Sequence, residues 1–128
     1  VENNGLKETA ARLHKGIITF SPLAQGLLTN RYLDGIPADS RVHTDGRFLK
    51  EKDITPEKIA KIRALNEIAA ARGQTLAEMA LAWLLSHEEI TTVLIGASKT
   101  QQILDNIKAV QNMKFTAEEL AEIDRISK

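Results

Sequence analysis

Two short β-branched runs, each breaking off into small and polar residues, limit the fold more than any other feature of the chain. The first, Ile17-Ile18-Thr19-Phe20, stops at Ser21-Pro22 and turns into a loop; the second, Thr91-Thr92-Val93-Leu94-Ile95, runs into Gly96-Ala97-Ser98-Lys99-Thr100. Branched side chains suit a packed, pleated surface, and Pro22 has no amide to give to a sheet ladder, so both runs read as buried strands. Helical patterns fill much of the sequence between them, which predicts a crossover connection and parallel strands. In parallel α/β folds ligands bind in the loops at the carboxyl ends of strands, so these two loops are the first candidates for function.

The helices are marked by caps and apolar spacing. Leu6, Ala10 and Leu13 predict an amphipathic helix between Glu2 and His14, stopped by Gly16. Thr55-Pro56-Glu57 supplies a hydroxyl cap, a proline at the first position and an acid in the first turn. The helix it opens turns Ile59, Ile62, Leu65 or Asn66, and Ile68-Ala69 inward and closes at Arg72-Gly73. Thr75 and Glu78 form a capping box ahead of a helix that is apolar nearly all round, from Leu76 to Leu85, so Trp83 reads as a core residue. The second strand, about Thr92 to Ile95, feeds a helix from Thr100 to about Val110 with Ile103, Ile107 and Val110 inward. Thr116 and Glu119 open a last helix that buries Leu120, Ile123 and Ile126. From Ser21 to Asp53 stretches a loop far above the usual length, read as functional, with Leu23, Leu27 and Leu28 in a helical turn near its start. The order is α, β, long loop, α, α, β, α, α. Because it opens with helix then strand and with Val1 rather than Met, the chain is expected to begin partway into a larger protein.

Several function classes find no support. The 17 basic and 17 acidic residues are interspersed and the pI is near 7.0, so no phosphate-binding stripe for nucleic acid arises. There is no cysteine, which excludes disulfides and thiol catalysis. Without an apolar run of membrane length or a signal peptide, cytoplasm is the default compartment. His14, His43 and His87 are scattered and read as surface residues, so no metal site is expected. Ser21 lacks the glycines of a nucleophile elbow. What remains is an anion-binding pattern: small residues at Gly96-Ala97 let amides approach a phosphate, Ser98 and Thr100 offer hydroxyls, and Lys99 brings charge at a helix start. Gln102, Asp105 and Asn106 are polar groups able to bond an adenine edge. Taken alone, these are also an N-cap and an exposed polar helix face.

The wording of the two loops goes further. Thr19-Phe20-Ser21-Pro22-Leu23-Ala24-Gln25-Gly26-Leu27-Leu28, the following Arg31-Tyr32, Gly35-Ile36-Pro37 and Ser40-Arg41, and Leu94-Ile95-Gly96-Ala97-Ser98-Lys99 with Gln102 and Asn106 closely resemble the carboxyl-terminal half of aldo-keto reductases. The nearest likeness is to the branch of bacterial glyceraldehyde-3-phosphate reductase-like enzymes and potassium-channel β subunits. The resemblance implies that residues 1–128 are a single incomplete domain, strands seven and eight of an α/β (β/α)8 TIM barrel with their helices. It implies NADP(H) as cofactor and small aldehydes and ketones as substrates.

Carried over by position, Phe20 lies near the nicotinamide, where many relatives have a larger aromatic. Ser21, Pro22, Leu23, Gln25 and Gly26 lie along the nicotinamide ribose and pyrophosphate, and Arg31 and Arg41 belong to the loop folding over the cofactor. Gly96, Ser98 and Lys99 hold the adenosine phosphates, and Gln102, Asp105 and Asn106 reach the adenosine. Lys99 stands where close relatives often carry Arg or Asn, and Asp105 replaces a more usual Glu; Lys keeps the charge but loses the bidentate fork. The family's tyrosine, lysine, aspartate and histidine arise from the first half of the barrel, so no catalytic residue is assigned here and the chain alone is expected to be inactive. Tyr32 does not match the catalytic tyrosine position. The alternative reading is a nucleotide-sensing interaction module like the channel β subunits. Two parallel strands cannot close a barrel, so the chain is expected to need the other barrel half or to self-associate.

Overall fold

In a computed structural model that describes residues 4–38, 40 and 50–128, the chain runs α1 (Leu6–Arg12), β1 (Ile17–Phe20), 3-10 turns at Ala24–Gly26, Asn30–Tyr32 and Glu51–Asp53, α2 (Pro56–Ala71), α3 (Leu76–Leu85), β2 (Ile90–Leu94), α4 (Thr100–Asn106) continued by a 3-10 segment (Ile107–Gln111), and α5 (Ala117–Ser127). Three threonines fix where the longer helices begin. Thr55 Oγ1 accepts from the Lys58 amide at 3.2 Å. Thr75 with Glu78, and Thr116 with Glu119, close full capping boxes, each satisfying two amides that the first helical turn leaves unpaired.

The strands pair in parallel, Thr19 opposite Val93 and Phe20 opposite Leu94, with an irregularity between Ile17 and Ile18. Their alternation gives the sheet two unlike faces. Val93 and Ile95 pack with Leu23 and Phe115 onto Leu81, Ala82 and Ala109, while Ile18, Phe20 and Leu94 point to solvent. A larger core joins Ile62 and Ala69 of α2, Leu76 and Met79 of α3 and Ile123 of α5, with Leu27, Leu33, Ile59, Leu65, Ile68 and Trp83 packed around it. α3 and the 3-10 segment after α4 therefore lie against one face of the sheet, and α2 and α5 form the larger core with α3.

Arg72, expected only as a cap residue, ties this helical layer together. Its side chain is 4% exposed, ion-pairs with Glu119, donates to the carbonyls of Asn112 and Lys114, and stacks over Phe115 at 3.8 Å. The left-handed Gly73 that follows releases the chain toward α3.

Several details depart from the sequence reading. Both strands, expected to be buried, are covered on one face only, and of Leu6, Ala10 and Leu13 only Ala10 is buried. Ile103, Ile107 and Val110 face outward, Ile107 being 55% exposed, and Asn106 and Ala109 are buried instead. The cause is close packing: Ala109 meets Ala82 of α3, and the change to a 3-10 segment at Ile107 shifts which residues share a face. Leu120 is likewise exposed, with Ile123 and Ile126 buried as expected. His87 is no surface histidine: its Nδ1 lies 2.8 Å from the Trp83 carbonyl oxygen and its ring meets the Trp83 ring edge-on. His43 lies outside the described residues. No described helix is long and apolar enough to cross a membrane.

Candidate functional site

Because Phe20 pairs with Leu94, the chain leaves both strands at the same end of the sheet, on neighbouring tracks about 4.8 Å apart. Both loops then open onto one cleft of about 940 Å³.

The loop after β1 is an arch of unusual backbone. Ser21, Ala24 and Gln25 have φ of 52, 48 and 62°, and Gly26 has φ of 94°. Left-handed conformations cost a non-glycine residue roughly 1–2 kcal/mol each, so the surroundings must hold them. Amides of Ala24 and Gly26 donate to the carbonyls of Ser21 and Leu23 at 3.0 and 2.9 Å, closing successive tight turns. Leu23 anchors the arch in the smaller core and Leu27 in the larger. Thr29 Oγ1 then donates to the Gly26 carbonyl at 2.7 Å and accepts from the Arg31 amide at 3.1 Å, capping the Asn30–Tyr32 turn. The start of the long loop is thus built from consecutive turns, as far as Gly35.

The loop after β2 is short and exposed. Gln102, three residues past Lys99, folds back so that its Oε1 accepts from the amides of Ser98 and Lys99 at 2.8 and 3.1 Å and from Ser98 Oγ at 3.3 Å. Only half of a capping box forms, because the Lys99 ammonium has no acceptor to return. One side-chain oxygen sits where two converging amides and a hydroxyl would receive an anion. At Gly96 an added Cβ would meet nothing within 4 Å, and its φ is not left-handed; the protein's own packing does not demand glycine there.

Of the residues predicted from sequence, Phe20, Ser21, Pro22, Leu23, Gln25, Gly26 and Arg31 line the cleft from one side and Gly96, Ser98 and Gln102 from the other. Phe20 is 79% exposed at the rim. Lys99, Asp105 and Asn106 do not line it. Asn106 is buried, and Asp105 accepts from Lys108 Nζ at 2.8 Å and Gln101 Nε2 at 3.0 Å. The Lys108 hydrogen bond, then that of Gln101, holds the Asp105 carboxyl below its usual range. Arg41 lies outside the described residues.

Ala97, read with Gly96 as a small residue of the anion-binding pattern, lines the cleft too; sequence reasoning missed Thr29, Asn30, Tyr32, Pro37, Leu94 and Ile95, which also line it. For Thr29 a signal existed: a threonine ahead of Asn-Arg-Tyr is a hydroxyl cap for a turn. Tyr32 gave none, since a lone tyrosine in a polar loop does not announce that it will be 1% exposed.

A family model described as the Aldo/keto reductase family matches residues 1–128. The chain is 48% identical to L-glyceraldehyde 3-phosphate reductase of Escherichia coli (strain K12) over 128 positions, covering 98% of this chain and 37% of that protein. It is 41% identical over 115 positions to a putative voltage-gated potassium channel subunit beta of Schizosaccharomyces pombe, covering 87% of this chain and 33% of that one. Among solved structures, the thermostable aldo-keto reductase Tm1743 in complex with the inhibitor epalrestat is similar in fold, with a TM-score of 0.64 at 24% identity, over 98% of this chain and 34% of that chain. The chain therefore spans about a third of the length of these relatives.

Proposed function

From the premise that this chain belongs to the aldo/keto reductase family, we propose that it forms the carboxyl-terminal part of an NADP(H)-dependent reductase of small aldehydes and ketones. In that reading β1 and β2 are strands seven and eight of a (β/α)8 barrel, and their loops are the cofactor site. The observation that carries it is the convergence of the Ser21–Gly26 arch and the Gly96–Lys99 loop on one cleft.

The residues present fit a dinucleotide. The cleft volume is near the upper end for small-molecule sites, as an extended ligand requires. Its two sides differ in the sense such a ligand does: the exposed Phe20 ring offers a stacking face on one, and on the other the Ser98 hydroxyl and two convergent amides, held here by Gln102 Oε1, become an anion cradle when that side chain yields its place. Phe20, Ser21, Pro22, Leu23, Gln25 and Gly26 orient the nicotinamide half, with Arg31 adding positive charge beside it. Gly96, Ser98, Lys99 and Gln102 hold the adenosine half, and Asp105 and Asn106 shape the helix behind it. When bound, the nicotinamide supplies a hydride to the carbonyl carbon. The groups that move the accompanying proton belong to barrel segments outside this sequence, so these 128 residues alone bind cofactor without turnover. Beside the Phe20 ring, the bare sheet face around Ile18 packs on those segments or on a second copy.

Titrating the protein with NADPH, NADH and ATP tests the reading. Saturable NADPH binding that ATP does not match is expected; equal or absent binding overturns it. Robust reduction of a generic aldehyde by the isolated 128-residue chain would overturn the placement of the proton-transfer groups elsewhere.

A further inference from the structure

The arch after β1 contains three left-handed residues that are not glycine, and something other than local preference must hold them. The residue placed to do so is Tyr32. Its ring is the largest fully buried side chain of the described residues, though it sits in a loop whose other members are partly or fully exposed up to Ala38. Its Cε2 lies 3.6 Å from where a Cβ on Gly26 would stand, so the ring supports the last residue of the arch from beneath. The turn that carries Tyr32 is fixed from three sides. Thr29 Oγ1 bonds Gly26 at its start, Leu33 packs into the larger core, and Arg63 Nη2 of α2 donates to the Leu33 carbonyl at 2.6 Å. The arch, the turn and α2 are therefore mechanically continuous.

We infer that Tyr32 is a positioning residue for the nicotinamide half of the dinucleotide, acting through Gly26 to hold the Ser21–Gly26 arch in its binding shape. This rests on the dinucleotide reading above. A loop held in its bound shape binds more tightly because less ordering remains to be done, and a displaced one loses that gain. The ring's packing performs this role, so phenylalanine should serve and a smaller, differently shaped side chain should not.

The experiment compares two ligands on four proteins: NADPH, which spans both loops, and adenosine 2′,5′-bisphosphate, which reaches only the loop after β2. In Tyr32→Leu the dissociation constant for NADPH should rise about tenfold while that for the bisphosphate stays within about twofold of wild type. Tyr32→Phe should restore NADPH affinity. Thr29→Val, nearly isosteric but unable to bond Gly26, should weaken NADPH in the same selective way without touching the core. Unchanged NADPH affinity in both Tyr32→Leu and Thr29→Val overturns the inference, as does equal weakening of both ligands, which would mark a general loss of structure. If wild type binds neither ligand, the dinucleotide reading itself falls, a result distinct from failure of the Tyr32 role alone.

Discussion

The two strand tips solve one problem by opposite means. Each must present backbone polar groups to a shared cleft in a fixed geometry. After β1 the chain does so by burial: a strained arch is pinned by Leu23, Leu27 and Tyr32 and by the Thr29 hydroxyl. After β2 it does so with one amide side chain, Gln102, whose oxygen gathers the Ser98 and Lys99 amides in solvent. The packed tip stores strain and is held by neighbours far along the chain; the capped tip stores little and is held by a residue four positions away or fewer. A packed arch tolerates substitution poorly, and a capped one yields locally.

The sharpest way to break that contrast is to make the same substitution at both tips. Gly26→Ala must place a side chain at φ of 94° and is expected to destabilise by about 1.5 kcal/mol. Gly96→Ala meets open space with ordinary φ and should be neutral or stabilising by up to about 0.5 kcal/mol, through reduced freedom of the unfolded chain. Urea melts of the two variants check the opposite signs; equal losses would mean the tips are not differently built.

A smaller effect is expected from Gln102→Ala. Losing a side-chain cap costs about 1 kcal/mol, and the loss should be local. Amide hydrogen exchange should quicken at Ser98 and Lys99 and stay unchanged at Ala24 and Gly26, whose partners lie within the arch. Faster exchange at both tips would show them coupled.

The smallest effect concerns pH. Hydrogen bonds from Lys108 and Gln101 hold the Asp105 carboxyl below its usual range, so this exposed pair favours the folded state above the unfolded carboxylate's pKa. The contribution disappears as pH falls through the lowered value in the folded protein. An NMR titration of Asp105 should show a midpoint below that of an ordinary aspartate, returning toward it in Lys108→Ala. Neither change should alter the arch.

How much of this was legible in the sequence follows from the range of the forces involved. Caps at Thr55, Thr75 and Thr116, the proline at Pro56 and the two β-branched runs act over a few residues, and each placed its element within a few positions. The resemblance of the two loop sequences to one family is likewise written in local order. Most residues named from it line one cleft, whereas Lys99, Asp105 and Asn106 do not line it.

What the sequence determined by itself is therefore the kind of elements, their order and the identity of the two loops. Tertiary structure alone decided which face α4 and its 3-10 extension bury and what supports the arch. Ile103, Ile107 and Val110 carry the stronger apolar signal, yet Ala109 faces inward because α3 offers Ala82 at the contact and close approach between helices favours small residues. Tyr32 is buried beside Gly26 in a turn that Leu33 and Arg63 of α2 tie to the helical layer, a meeting of segments that no local pattern encodes.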